Sequence, residues 1–327
     1  MKNLKENITI QKWISATSVI LLCIKLYAYF ITLSTAILSD TLESVVNVIA
    51  GLIGLYSLKL AAKPKDNNHP NGHGKIEFIT AAIEGALIIG SSLIIVVETI
   101  KGIIYKTPIF QINDGILLIF VSVLLNGIIG LRALNIGKKN KSMVLESGGK
   151  HLLIDALSSV IILINLWLVH ITNLVVIDRI VAFIMSILIF YNGWKILRQS
   201  FAGIMDEADE NLLQEFIQKI NIAKKENWID LHNLRVIKYG SQLHIDCHLT
   251  LPWYLTIEQG HKEIKDLECY IQQNFGDTIE FFVHTDSCMP FSCPICTIKN
   301  CAERKQPFVK KMEWNVENAS LNKQHQI

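Results

Sequence analysis

Charge is what this chain has least of. Only 18% of its 327 residues are charged, where a soluble protein carries about a quarter. The deficit is uneven. Residues 13–200 are long apolar runs broken by short polar stretches, whereas residues 205–327 have the composition of ordinary soluble protein. A wholly soluble chain is therefore not expected, and a domain boundary is expected near residue 205. The net charge of +2 is too small for the basic footprint of a nucleic-acid binder, so no nucleic-acid partner is expected. No cleavable signal peptide is expected either, because the first apolar run, from Trp13, is long and lacks a small-residue cleavage pattern. There is no internal repeat, and no HExxH pair of the kind that marks a helical zinc protease.

What the chain does have is apolar length. A helix needs about 20 mostly apolar residues to cross the hydrocarbon core. Six stretches qualify: residues 13–36, 40–61, 77–101, 114–135, 145–170 and 177–198. Buried helices of a large soluble protein are the rival, disfavoured by so many runs in so short a segment. The short connections are unequal in lysine and arginine. One side holds Lys2, Lys5, Lys12, Lys63, Lys65, Lys75, Arg132, Lys138, Lys139, Lys141 and Lys150, the other Lys101, Lys106 and Arg179. By the positive-inside rule both termini are cytoplasmic, which makes a multi-pass protein of the cell membrane in contact with lipid.

Ionisable groups within such spans are costly and tend to face a bundle interior with a task. Span two carries Glu43 and Asn47, and span five His151 and Asp155. Each pair is spaced i,i+4, so both members lie on one helix face a turn apart. Two such faces brought together offer two carboxylates, an imidazole and an amide oxygen, a four-ligand set for a divalent cation. Interhelical hydrogen bonding is the alternative role for Asn and His there. Lys25 and Glu84 are also intramembrane, and a Lys25–Glu84 pair or snorkelling accounts for them. Asn126 reads as a packing or hydration residue. The loop after span two adds Asp66, His69 and His73, three potential ligands within eight residues among glycines.

The stretch His69-Pro70-Asn71-Gly72-His73-Gly74-Lys75-Ile76-Glu77 resembles the HPxGHGKxE signature of the cation diffusion facilitator family, and His151/Asp155 its HxxxD. The resemblance spans residues 10–290. It implies a homodimeric antiporter that expels a divalent metal, usually zinc, in exchange for protons. Glu43, Asn47, His151 and Asp155 would form the transport site, and Asp66, His69 and His73 a loop site. Lys75 would take the place of an intersubunit charge lock with Asp206. One departure stands out. The family's span-two pair is usually Asp or His followed by Asp, and here it is Glu43 followed by Asn47. One imidazole with three oxygen ligands leans away from strict zinc preference toward manganese or iron, so the expected substrate is zinc, iron or manganese. A membrane metalloenzyme, or a metal sensor with a membrane anchor, is the competing function.

After Asp206 the pattern shortens. Residues 207–223 and 255–274 read as helices, and 233–239, 242–251 and 278–284 as strands, with Tyr239-Gly240-Ser241 as a turn. The order α-β-β-α-β suggests a small α+β sandwich. In the second strand Leu243, Ile245, Cys247, Leu249 and Leu251 alternate with His244, Asp246, His248 and Thr250, which assigns the first set to a core and the second to the other face. The resemblance implies a ferredoxin-like tail that binds regulatory metal at a dimer interface, with His232, His248, His261, His284 and Asp286 at ligand positions. Cys288, Cys293, Cys296 and Cys301 form C-x4-C-x2-C-x4-C, which reads as a thiolate site, most simply one structural zinc. An iron–sulfur cluster also needs four cysteines, and disulfides fit a reducing cytoplasmic face poorly. Residues 311–327 are polar and read as disordered. The expected architecture is thus an all-α six-span bundle (1–204), a small α+β, ferredoxin-like cytoplasmic domain (205–287), and a cysteine-rich tail with a polar C-terminus (288–327).

Overall fold

The computed structural model describes residues 2–61, 63–140, 143–239, 242–276 and 279–326. Two compact units emerge: Met1–Tyr56 with Thr80–Ser200, and Ser57–Ile79 with Phe201–Ile327.

The first unit is built on six helices, α1 (Lys2–Thr32), α2 (Thr35–Ala61), α3 (Ile76–Ile104), α4 (Ile112–Asn140), α5 (Met143–Thr172) and α6 (Val176–Ile204). Five of them, α2 to α6, are long and apolar enough to cross a membrane, and the apolar part described in α1 is the shorter Ala16–Thr32. Large apolar side chains such as Leu52, Ile94, Leu117, Leu157 and Trp167 are exposed, while Lys25, Asp40, Asn126, Asn165 and Asp178 are buried. That inverts the soluble pattern and fits a hydrocarbon surround. Small residues set the closest helix approaches, as between membrane helices generally. A Cβ at Gly85 of α3 would lie 2.9 Å from the Gly193 carbonyl of α6, and one at Gly149 of α5 would lie 2.5 Å from the Leu134 amide of α4.

Two buried charge networks lock this unit. Lys25 donates to Asp40 Oδ1 (2.7 Å) and to Ser44 Oγ (3.0 Å), and Ser159 Oγ donates to Asp40 Oδ2 (3.0 Å). The expected Lys25–Glu84 pair or snorkelling is therefore corrected: Lys25 is 1% exposed and its partner is Asp40, at the start of its neighbour α2, where the reach is short. The second network centres on Asp178, which accepts from Ser34 Oγ (2.5 Å), Thr35 N (2.9 Å) and Asn165 Nδ2 (2.9 Å). A carboxylate there satisfies the Thr35 N–H of the first turn of α2, which has no intrahelical partner. Arg179, counted above among loop charges, is buried and donates to Thr35 Oγ1 and to Thr107. Of the other counted lysines, Lys141 lies outside the described residues, as do the side chains of Lys2, Lys5 and Lys12.

The second unit contains α7 (Glu210–Ala223), β1 (Asp230–Tyr239), β2 (Gln242–Leu251), α8 (Ile257–Phe275) and β3 (Ile279–Ser287), in the expected α-β-β-α-β order. Asp209 caps α7, accepting from Leu212 N at 3.0 Å, and Thr256 with Gln259 makes a capping box at α8. The sheet order is β1-β2-β3, with β1/β2 antiparallel and β2/β3 parallel. Ile245, Cys247, Leu249 and Leu251 are buried in a core with Phe216, Ile220, Trp228, Leu267 and Ile271, as period-2 alternation requires. Gly240 and Ser241 of the expected turn lie outside the described residues. Strand β1 begins at Asp230, three residues before the expected start. A register irregularity between His232 and Arg235, with Asn233 at φ 50°, breaks the alternation a reader of the sequence relies on.

The tail corrects a second expectation. Residues 311–326 are packed, not disordered. Trp314 and Ala319 belong to the core of the unit, Asn221 Nδ2 donates to the Trp314 carbonyl (2.7 Å), and Lys224 donates to the Met312 carbonyl (3.0 Å) and lies 3.7 Å from the centre of the Trp314 ring. Polar composition hid this because the anchoring partners are side chains at the C-terminal end of α7 and just beyond it, far away in sequence.

Candidate metal centres

The four intramembrane candidates reach one place. Glu43 and Asn47 from α2 and His151 and Asp155 from α5 line a cavity of about 450 Å³, with Glu84 and Asn192 on its wall. His151 Nε2 lies 3.8 Å from Asp155 Oδ2. Asn47 Nδ2 and Asp155 Oδ1 are buried without a hydrogen-bond partner among the described residues, so the cavity presents open polar valences where helices would normally close them. The four do not converge into a single tight set. Among the described residues the groups whose ligand atoms lie within 4.8 Å of one another are Asp66–His69–His73 and His232–His248–Asp286. Asn126 is buried with both amide atoms unpaired among the described residues, on a smaller cavity of about 80 Å³ shared with Lys25, Asn47, His151 and Asp155.

In the second unit, the loop between α2 and α3 folds around Asp66. Its carboxylate accepts from His69 N (2.7 Å) and Asn68 N (3.0 Å). The same carboxylate lies 3.2 Å from His69 Nδ1 and 3.4 Å from His73 Nε2. Those hydrogen bonds, first the His69 backbone N–H, hold the Asp66 carboxyl below the usual carboxylate range. Gly72, at φ 87°, supplies the left-handed backbone that brings His73 back to Asp66. His73 Nδ1 is buried and has no hydrogen-bond partner among the described residues. Lys75 pairs with Asp206 at 2.9 Å, within the same chain.

The second cluster is made by strand register. His232, His248 and His284 are cross-strand neighbours on β1, β2 and β3, and adjacent strands are about 4.8 Å apart. Asp286, two residues after His284, shares its face. Its Oδ2 lies 3.2 Å from His232 Nε2 and 3.0 Å from His248 Nδ1, and its Oδ1 lies 3.5 Å from His284 Nε2. His232 is buried, and burial lowers its imidazole below the ordinary value, which favours the neutral, metal-accepting form. His261 is not in the group; it is exposed on α8 and lines a neighbouring cavity with Asp286.

Sequence reasoning passed over Asp230, which stands 3.6 Å from His232 Nδ1 on the side away from Asp286. A carboxylate behind a histidine is the usual way a ligating ring is oriented. Its signal was available, since Asp230 is two residues before His232 and so on the same strand face. Asp40 was missed as well.

Apolar helices that gather acids, amides and an imidazole along one cavity fit a membrane carrier of cations. The chain belongs to the cation diffusion facilitator family. The cation efflux transmembrane domain matches residues 12–205 and the cation efflux protein cytoplasmic domain residues 206–288. The chain is 29% identical over 250 residues to an uncharacterised transporter of Synechocystis, covering 76% of this chain and 81% of the relative. It is 27% identical over 276 residues to the manganese efflux system protein MneP of Bacillus subtilis (82% and 92%) and 26% identical over 276 residues to the cation-efflux pump FieF of Citrobacter koseri (82% and 89%). Family members are cation efflux transporters and not enzymes, which sets the metalloenzyme reading aside.

Proposed function

We propose that the chain exports a divalent metal from the cytoplasm in exchange for protons, as a homodimer in the cell membrane with six spans and both termini cytoplasmic. The observation that carries this reading is the meeting of Glu43, Asn47, His151 and Asp155 on one cavity within an apolar helical unit. The metal is substrate here. Captured first by Asp66, His69 and His73, it binds the four intramembrane groups near the midplane, and the helices rock to expose it outward. Protons then take the ligand positions on His151, Glu43 and Asp155, because ligands must be deprotonated to hold metal, and return inward. Asn47 carries no proton.

Residues 205–287, within the second unit, work as a ferredoxin-like regulatory domain in which His232, His248 and Asp286 hold a metal ion, with His284 and His261 at its margin. The donor set fits: two imidazoles and a carboxylate within 4.8 Å, backed by Asp230. Substrate choice falls among zinc, iron and manganese, with the oxygen-rich transport set leaning toward manganese or iron. A manganese efflux system among the relatives supports that lean. The test is metal flux in proteoliposomes carrying His151→Ala and Asp155→Ala. Loss of flux in both is expected, and unimpaired flux in both would refute the reading.

A further inference from the structure

From the last residue of the stretch that matches the family, residue 288, onward, the chain builds something the transport cycle does not use. Cys288, Cys293, Cys296 and Cys301 line one pocket of about 330 Å³ together with Tyr254 and Arg304. All four cysteines are free thiols. Cys296 is buried and the others half-buried. No disulfide supports the loop; Arg304 does. Its guanidinium donates to the carbonyls of Cys293 (2.9 Å), Cys296 (3.1 Å) and Ile298 (2.6 Å). One cation thus fixes the Cys293-Pro294-Ile295-Cys296 turn from behind, with positive charge beside the sulfurs.

The sulfurs are also supplied with donors. Lys305 N donates to Cys293 Sγ at 3.4 Å. The Tyr254 hydroxyl bonds to Cys301. A pocket lined by four thiols, with a fixed guanidinium behind the turn and an N–H and a hydroxyl at two of the sulfurs, is suited to thiolates, and thiolates in that number are a metal's ligands. The pocket is wider than a bound site, since its four sulfurs form no group within 4.8 Å, so binding would draw the turn inward.

We propose that Cys288, Cys293, Cys296 and Cys301 bind one tetrahedral, zinc-class divalent cation, separate from the transported metal, which clasps the C-terminal segment to the sheet. Each thiol gives its proton to solvent on binding. The clasp role follows from what the turn touches. Val309 N and Lys310 N donate to the Pro294 carbonyl at 2.8 and 3.2 Å, and Ile295 and Cys296 pack with Ile229 and Met312, where the tail turns back beside β1. The site does not depend on the transport reading.

The test uses full-length protein in detergent, loaded with cobalt(II) as the probe. A thiolate-to-cobalt charge-transfer band is expected at one cobalt per chain and displaced by zinc. It is lost in the Cys293→Ser/Cys296→Ser variant and retained in Asp155→Ala and His232→Ala. Absence of the band, its persistence in the double-serine variant, or a coloured iron–sulfur chromophore in the protein as purified overturns the site. Amides of residues 309–326 should exchange with deuterium more slowly once the thiolate band has formed, and equal exchange overturns the clasp. Failure of transport in Asp155→Ala with the band intact separates this proposal from the transport reading.

Discussion

His325 closes the chain onto Asp230, 95 residues earlier. Its backbone N–H donates to Asp230 Oδ2 at 2.9 Å, and its Nδ1 lies 2.5 Å from Oδ1. Asp230 in turn stands behind the buried His232. His325 thereby holds a carboxylate that stands 3.6 Å from the ring nitrogen of a histidine of the sheet cluster.

The carboxylate of Asp230, despite burial, raises the His325 imidazole above its ordinary value. The folded protein therefore binds this proton more tightly than the unfolded chain. The resulting stability is present in full below about pH 6.5 and is lost as pH rises through the raised value. A charged hydrogen bond contributes about 1.5–3 kcal/mol. In hydrogen exchange on the whole protein, His325→Ala should speed exchange in residues 314–326 by at least about tenfold at pH 6, and by less at pH 8. An effect of equal size at both pH values would show that protonation plays no part.

Asp230→Asn should weaken metal binding at the sheet cluster without removing a ligand. Loss of an outer carboxylate behind a ligating histidine costs about 10–100-fold in affinity. Calorimetric titration with zinc checks this, and His232→Ala sets the scale for outright ligand loss. Affinity unchanged in Asp230→Asn would mean that the 3.6 Å gap to His232 Nδ1 does not close when metal binds.

How much of this could be read in advance follows from the range of the forces involved. The alternation from Leu243 to Leu251 and the i,i+4 pairs Glu43/Asn47 and His151/Asp155 are local patterns, and the structure carries each onto one face or one cavity. Asp40 escaped notice because its meaning depends on Lys25 of a neighbouring helix. Asp178 escaped because the helix it caps begins 143 residues earlier. The tail reads as disordered because Trp314 and Met312 are few among polar residues, and nothing local shows that Asn221 and Lys224 hold its backbone.

Lys25→Ala should be among the most damaging changes in the first unit. Both partners of the Lys25–Asp40 pair are 2% exposed, and removing one leaves an unpaired buried charge, at a cost of about 3–5 kcal/mol. Asp40→Asn on top of Lys25→Met should recover much of the loss. Thermal unfolding in detergent measures both. A double variant no more stable than Lys25→Ala would argue that the ammonium acts through Ser44 instead.

Gly149→Ala and Gly127→Ala make a matched pair. A Cβ at Gly149 meets the Leu134 backbone at 2.5 Å, whereas at Gly127 nothing lies within 4 Å. The first forces α4 and α5 apart, costing about 1–3 kcal/mol or more. The second should gain up to about 1 kcal/mol of helix propensity. Opposite shifts in unfolding temperature are expected.

Asn47→Asp bears most directly on the chemistry. The amide leaves its Nδ2 buried and unpaired, and at most its oxygen serves a cation. A carboxylate in its place removes that orphan donor and adds one negative charge to the cavity of Glu43, His151 and Asp155. Metal should then bind more tightly, because the cation is more fully compensated where water is scarce. Release should become harder, since one more ligand must be protonated before the metal leaves. Concentration-dependent flux in proteoliposomes should therefore show a lower half-saturating metal concentration and a lower maximal rate. The maximal rate should also depend on outside pH with a slope steeper by about one proton per metal. If only the half-saturation changed and the slope did not, residue 47 would bind metal without joining the proton exchange, and the proton load would rest on Glu43, His151 and Asp155 alone.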